Sequence, residues 1–458
     1  MGDFGKKLVD GAILCAGLAA VFGVVPWTGA QTPVMVETAP SPCRFLTLPE
    51  SISLALENQP NLRARRASLE SAKAGCQGLA RLKIPTLLRP DLPYRRQQAD
   101  WGVRIAQAAL CQEEAHTTYA VTRAYLTVLY TRELERMARD SIRDQQLLHS
   151  AVQHMVDSAV YRHVSERDIA KAQSYLELTE SRLPQAQVSV QRAIGAWREA
   201  IGLGPDCCLE PFGDRLSALD VPVNCQQIVA LALARRGELI QANAAVQIFH
   251  LEVQAQAATR GKRASTFAAG ADLHAEPLPA GNGSQLAPRV LGVEMPTMLA
   301  GDRHARVARA KALSVRAEAV ADKTLQLITL EAQDAYWQWR QHDEEIARLQ
   351  KALTSAAAVS SQTEKDFKIR GSRVTFDEVI LTKLLTIQTR RAMVDSRYQL
   401  LLVLAALERV TAGGFHAGIC SALDAPADDP DRPRPADLNG FELTPEASLG
   451  LDSEAGNE

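Results

Sequence analysis

Ser165-Glu166-Arg167-Asp168 and Thr375-Phe376-Asp377-Glu378 each place a carboxylate three residues after a hydroxyl. At that spacing the hydroxyl accepts from the amide three residues on, while the acid accepts from the hydroxyl residue's own amide. This is the capping box that starts a helix. Asp168 and Glu378 also complement the positive end of a helix dipole. Other reactive types are scattered. His149, His154 and His163 lie at intervals of 5 and 9 residues, which do not place a ligand pair on one helical face. Cys207, Cys208 and Cys225 share one non-helical stretch, so a disulfide from Cys225 to Cys207 or Cys208 is expected. No glycine-rich phosphate loop, nucleophile elbow or Cys/His metal cluster occurs. No enzyme activity, cofactor or metal is therefore expected.

The elements that carry these residues are unusually long. Residues 103–183 run 81 positions without glycine or proline, residues 302–370 run 69, and residues 372–412 run 41. A helix of the middle length spans roughly 100 Å at 1.5 Å per residue. A compact core has no use for such a rod, so the chain spans a distance. Ile346, Leu349, Leu353 and Ala356 alternate threes and fours, as do most of Ile380, Leu384, Ile387, Val394, Tyr398 and Leu401. That is coiled-coil spacing. Pro184 is expected to kink or break the first returning helix. The net charge of -2 leaves no electrostatic footprint for nucleic acid. Tyr336-Trp337-Gln338-Trp339 reads as interhelix packing or a contact for another subunit. Arg95 and Arg96, near Trp101, read as a solvated helix start or a lipid-facing pair.

The plan occurs twice. Leu54-Ala55-Leu56-Glu57-Asn58-Gln59-Pro60-Asn61-Leu62 parallels Leu231-Ala232-Leu233-Ala234-Arg235-Arg236-Gly237-Glu238-Leu239 at an offset of 177, whereas the two capping boxes are offset by 210. The second copy therefore holds 33 extra residues between those landmarks. Each half reads as a first helix (about 49–82, then 224–260), a break, a very long helix, a turn and a returning helix. The first break, 83–96, carries three prolines and excludes a paired strand. The second contains a β-hairpin at about 264–300, turning at Gly281-Asn282-Gly283.

Residues 1–30 follow a secretory signal pattern, with Lys6 and Lys7 before an apolar run and small residues near Ala30. An uncleaved anchor is the alternative. The expected divisions are thus 1–30 signal, 31–223 first repeat, 224–418 second repeat and 419–458 disordered acidic tail.

Leu46-Thr47-Leu48-Pro49-Glu50 with Ala55-Leu56-Glu57-Asn58-Gln59-Pro60 resembles the first helix of the TolC-like outer-membrane efflux proteins. Tyr398 to Gly414, with Leu407-Glu408-Arg409, Thr411 and Gly413-Gly414, resembles that family's last helix. The similarity covers about residues 46 to 415. It implies a mainly α fold of duplicated long antiparallel coiled-coil hairpins with a small β-hairpin contribution. It also implies a homotrimer, set in the outer membrane and extending into the periplasm. Such a trimer forms a passive duct that serves a periplasmic adaptor and an inner-membrane pump. Asp168 and Glu378 match the family's acids at the tunnel entrance, while Leu381 replaces a further acid one turn on. One hairpin per chain supplies six strands to a trimer rather than twelve, too few for a wide pore. A non-conducting periplasmic coiled-coil scaffold of the same fold is the alternative function.

Overall fold

A computed structural model describes residues 44–85, 87–158, 164–204, 207–265, 299–369 and 372–424. The signal segment, most of the expected β-hairpin with its Gly281-Asn282-Gly283 turn, and the tail beyond 424 lie outside the described residues. The chain runs β1 (Arg44–Leu46), α1 (Leu48–Asn58), α2 (Pro60–Arg81), α3 (Leu92–Asp157), α4 (Glu166–Glu180), α5 (Leu183–Ala200) and β2 (Leu209–Pro211). It continues with α6 (Cys225–Arg235), α7 (Gly237–Ala258), β3 (Arg263–Ser265), β4 (Leu299–Gly301), α8 (Arg303–Phe367), α9 (Phe376–Val410) and α10 (Ile419–Asp424). The fold is mainly α, and α3 and α8 are helices of 66 and 65 residues.

Several boundaries differ from the expected ones, each for a local reason. The first helix of each half is two helices. Pro60 opens α2 at a position where its missing N–H costs nothing, and Gln59 before it is extended. Arg236 is extended in the same way before α7. The break 83–96 ends early, because Pro93 sits in the first turn of α3 and so starts the helix instead of interrupting it. Pro184 behaves similarly, and α4 and α5 are separated by two residues where α9 is continuous. Residues 419–424 do not belong to a tail. They form α10, whose Ile419 and Leu423 are 2% and 5% exposed. No bond joins Cys225 to Cys207 or Cys208.

The helices are layered side by side. At one end α3 packs against α2 and α7, and α7 against α8; towards the other, α3 packs against α4, α5 and α9, and α8 against α9. Between Gln341 and Val359 of α8 every residue is exposed except His342, Ile346, Leu349, Leu353 and Ala356. The coiled-coil seam therefore lies where the spacing placed it. The main core forms around the middle, from Tyr125, Leu126, Leu129, Trp197, Ile201, Ile328, Leu404 and Leu407. There β1 and β2 pair in parallel, Arg44 opposite Leu209, and the buried Tyr125 hydroxyl donates to the Phe212 carbonyl at 2.7 Å.

Buried charge also fixes this middle. Arg236 donates to Glu238 at 2.6 and 2.8 Å and to Glu331 at 2.8 Å, while Arg409 donates to Glu331 at 2.7 Å. Burial opposes ionisation of Glu238, yet Arg236 outweighs it and holds the carboxyl below its ordinary range. The backbone approach is equally tight, since a Cβ on Gly237 would lie 2.7 Å from the Ala108 carbonyl oxygen of α3. Further along, Tyr130 of α3 stacks on Tyr398 of α9 with ring centroids 4.3 Å apart, and its hydroxyl donates to Asp395 at 2.6 Å. Burial and that carboxylate raise the Tyr130 pKa.

At the opposite end from the capping boxes, Arg306 is 1% exposed and gathers the α7 terminus. It donates to Gln256 Oε1, Gly261 O and Gly301 O at 2.8 Å and to Thr259 O at 2.9 Å. Gly261 precedes β3 and Gly301 ends β4, so this guanidinium holds both feet of the intervening segment.

Candidate functional site at the helical tips

The α3–α4 and α8–α9 connections bring both capping boxes to one end of the described chain. Ser165 opens α4 in an extended conformation, and its amide and hydroxyl donate to Asp168 Oδ2 at 2.9 and 2.8 Å. Thr375 opens α9 in the same way: its amide donates to Glu378 Oε2 at 3.2 Å, and the Glu378 amide returns to Thr375 Oγ1 at 3.3 Å. Both acids thus make the helix-start bonds that their spacing demands.

A small apolar core holds the two helix starts together. Leu148, Val152 and Met155 from the end of α3 meet Val164 and Ala172, then Phe367, Phe376, Val379 and Ile380. The Phe367 and Phe376 ring centroids are 6.2 Å apart. Each large side chain buried here stabilises the tip by roughly 1.5–3 kcal/mol. The two hairpins therefore end as one unit.

Charge crosses the same seam. Lys171 Nζ lies 2.7 and 2.8 Å from the two carboxylate oxygens of Asp377, and 3.7 Å from Asp168 Oδ1. The hydrogen bond to Asp377 is the main cause of the raised Lys171 pKa. Nearby, burial works against the charge of Glu364, but hydrogen bonds from Lys383 and Lys368 outweigh it and lower its pKa. The structure thus links Asp168 to the second hairpin through Lys171 and Asp377. Glu378 faces outward on α9, followed on the exposed side by Leu381 (68% exposed) and Leu385 (51%).

Sequence reasoning missed Lys171 and Asp377. Asp377 stands beside Glu378 in the chain, but the link needed knowledge that α4 and α9 begin side by side. Of the aromatic cluster, Trp337 is 57% exposed, with Arg340 5.8 Å from its ring, while Trp339 packs on the main core. Arg95 and Arg96 are bonded inward. Arg95 pairs with the fully buried Glu252 of α7, and Arg96 Nε donates to the Leu79 carbonyl of α2 at 3.1 Å. His149 and His154 belong to no metal cluster, and none occurs among the described residues. His163 lies outside them.

No protein-family model matches the sequence, and no curated protein does. Solved structures do. The outer-membrane channel OprN is 17% identical, covering 81% of this chain and 93% of that one with a TM-score of 0.64. The outer membrane protein VceC from Vibrio cholerae is 15% identical over 81% of this chain and 97% of its own, with a TM-score of 0.63. The open state of the Neisseria gonorrhoeae MtrE outer membrane channel is 14% identical over 80% and 89%, also at 0.63. Over four fifths of its length, this chain has their fold.

Proposed function

We propose that this chain, which has the TolC-like fold of outer-membrane channels, is the subunit of an efflux duct. Three copies close into a homotrimer that passes through the outer membrane and extends into the periplasm. A periplasmic adaptor joins it to an inner-membrane pump. Residues 1–30 direct export, and the repeats 31–223 and 224–418 supply the wall. The observation that carries this reading is the pair of long helical hairpins joined at their tips, with a strand pair at the far end.

In this reading the tip is the mouth. Asp168 and Glu378 lie at the entrance, where carboxylates attract cations from solution. Dilating the mouth moves α4 and α9 apart, and the Lys171–Asp377 contact resists that movement. The chain itself performs no covalent step and draws on no cofactor. Crosslinking of the native protein, followed by conductance in a planar bilayer, tests the proposal. A trimeric band with cation-preferring conductance is expected, and monomers alone would sink it.

One observation favours a non-conducting periplasmic scaffold instead. Between α2 and α3, no strand occurs among the described residues, so the first half adds nothing there to a barrel. Dye flux that depends on this protein eliminates that reading.

A further inference from the structure

The connection between α2 and α3 does more than cross a gap. Between Leu82 and Asp91 the chain turns back, and the Pro85 carbonyl accepts from the amides of Leu88 and Arg89 at 3.0 and 3.2 Å. Pro85 and Pro90 bracket the turn, and proline restricts both its own φ and the residue before it. Arg96 anchors the turn by donating to the Leu79 and Leu82 carbonyls at the end of α2. This rigid frame leaves Leu87 92% exposed and Leu88 68%, with Leu82 and Ile84 at 42% and 37%. Leu87 leads the exposed large apolar side chains of the described chain. Exposed Arg81, Lys83 and Arg89 surround the leucines, against the single acid Asp91, which lies 3.6 Å from Arg95.

The turn's position gives this pattern its meaning. Arg95 and Gln98, at the start of α3, bond Glu252 in the last turns of α7, and α7 ends at Ala258, shortly before β3 begins at Arg263. The leucine turn and the strand pair therefore share one end of the molecule, opposite the tips. We propose that this turn is an interfacial membrane anchor: Leu87 and Leu88 dip into the headgroup–acyl boundary of an anionic bilayer, and Arg81, Lys83 and Arg89 meet lipid phosphates. Apolar side chains at the boundary with cations at the rim are the composition by which a segment lies on a membrane without crossing it. The anchor stands where the first repeat has no strands. It rests on the duct reading only for which membrane it meets.

The test places a photoreactive diazirine leucine analogue at position 87 of the full chain, reconstituted in phosphatidylcholine vesicles with or without phosphatidylglycerol. A control chain carries the analogue at position 147, exposed on α3 near the tips. Lipid adducts at 87 are expected at about tenfold the control yield. Anionic lipid raises them, and Lys83→Gln with Arg89→Gln removes about tenfold of that gain. An adduct to a second copy of the chain overturns the anchor and makes the turn a subunit contact. Equal yields at 87 and 147 overturn it as well. The duct reading fails separately. Protein released from cell membranes by carbonate yet forming lipid adducts at 87 in vesicles loses the duct and keeps the anchor, whereas retained protein crosslinking to itself does the reverse.

Discussion

Lys171 and Asp377 are separated by 206 residues of sequence, and their charged atoms are 2.7 Å apart. The pair joins the second turn of α4 to the first turn of α9, beside the apolar contact of Phe367 with Phe376. An exposed ion pair adds little to folding, because water and salt screen it. Its leverage lies in where it acts.

Reversing the charge with Lys171→Glu replaces that attraction with repulsion from Asp168 and Asp377. Mean conductance at low salt is expected to rise, while the melting temperature moves by no more than about 1 °C. Lys171→Arg keeps the wild-type conductance. Unchanged currents in the reversed variant would show that the pair does not resist opening.

Two glycines on neighbouring helices are expected to respond in opposite directions to the same methyl. Gly237→Ala drives a Cβ to 2.7 Å from the Ala108 carbonyl oxygen and costs about 1–3 kcal/mol. Gly102→Ala, inside α3 with nothing within 4 Å, gains about 0.5–1 kcal/mol from the lost glycine flexibility. Urea midpoints for the two variants decide both.

Glu238 makes stability depend on pH. Its folded pKa lies below the ordinary value of 4.5, so folding favours the ionised form. The contribution is present above pH 4.5 and is lost as pH falls through the folded value. Glu238→Gln should be less stable than wild type at pH 7, and the gap should narrow steadily below 4.5. A gap independent of pH would mean that Glu238 acts only through packing.

Arg306→Lys retains the charge but replaces a planar fork by a single ammonium. One amine cannot reach Gln256, Thr259, Gly261 and Gly301 together, so acceptors that include the buried Gln256 and Thr259 lose their donors. A loss of about 2–4 kcal/mol in thermal or urea unfolding is expected. Protease cutting between β3 and β4 should also rise, since the clamp holds both strand feet.

What the sequence determined by itself is whatever depends on neighbours along the chain. Uninterrupted stretches set α3, α8 and α9, because a helix needs only local hydrogen bonds and no breaker. Capping boxes placed the starts of α4 and α9 to the residue, since Ser165 with Asp168 and Thr375 with Glu378 are contacts across one turn. Prolines gave the breaks, though Pro60 and Pro93 proved to be helix openers, a distinction that rests on the conformation of the residue before them. Tertiary structure decided everything that joins distant segments. Lys171 finds Asp377, Arg236 finds Glu331, Gly237 meets the α3 backbone and Ile419 is buried, because helices far apart in the chain pack side by side. Spacing along the chain holds no record of which helix becomes whose neighbour. The exposure of Leu87 likewise came from the fold, since an apolar residue in a proline-rich turn is buried or bare according to what packs over it.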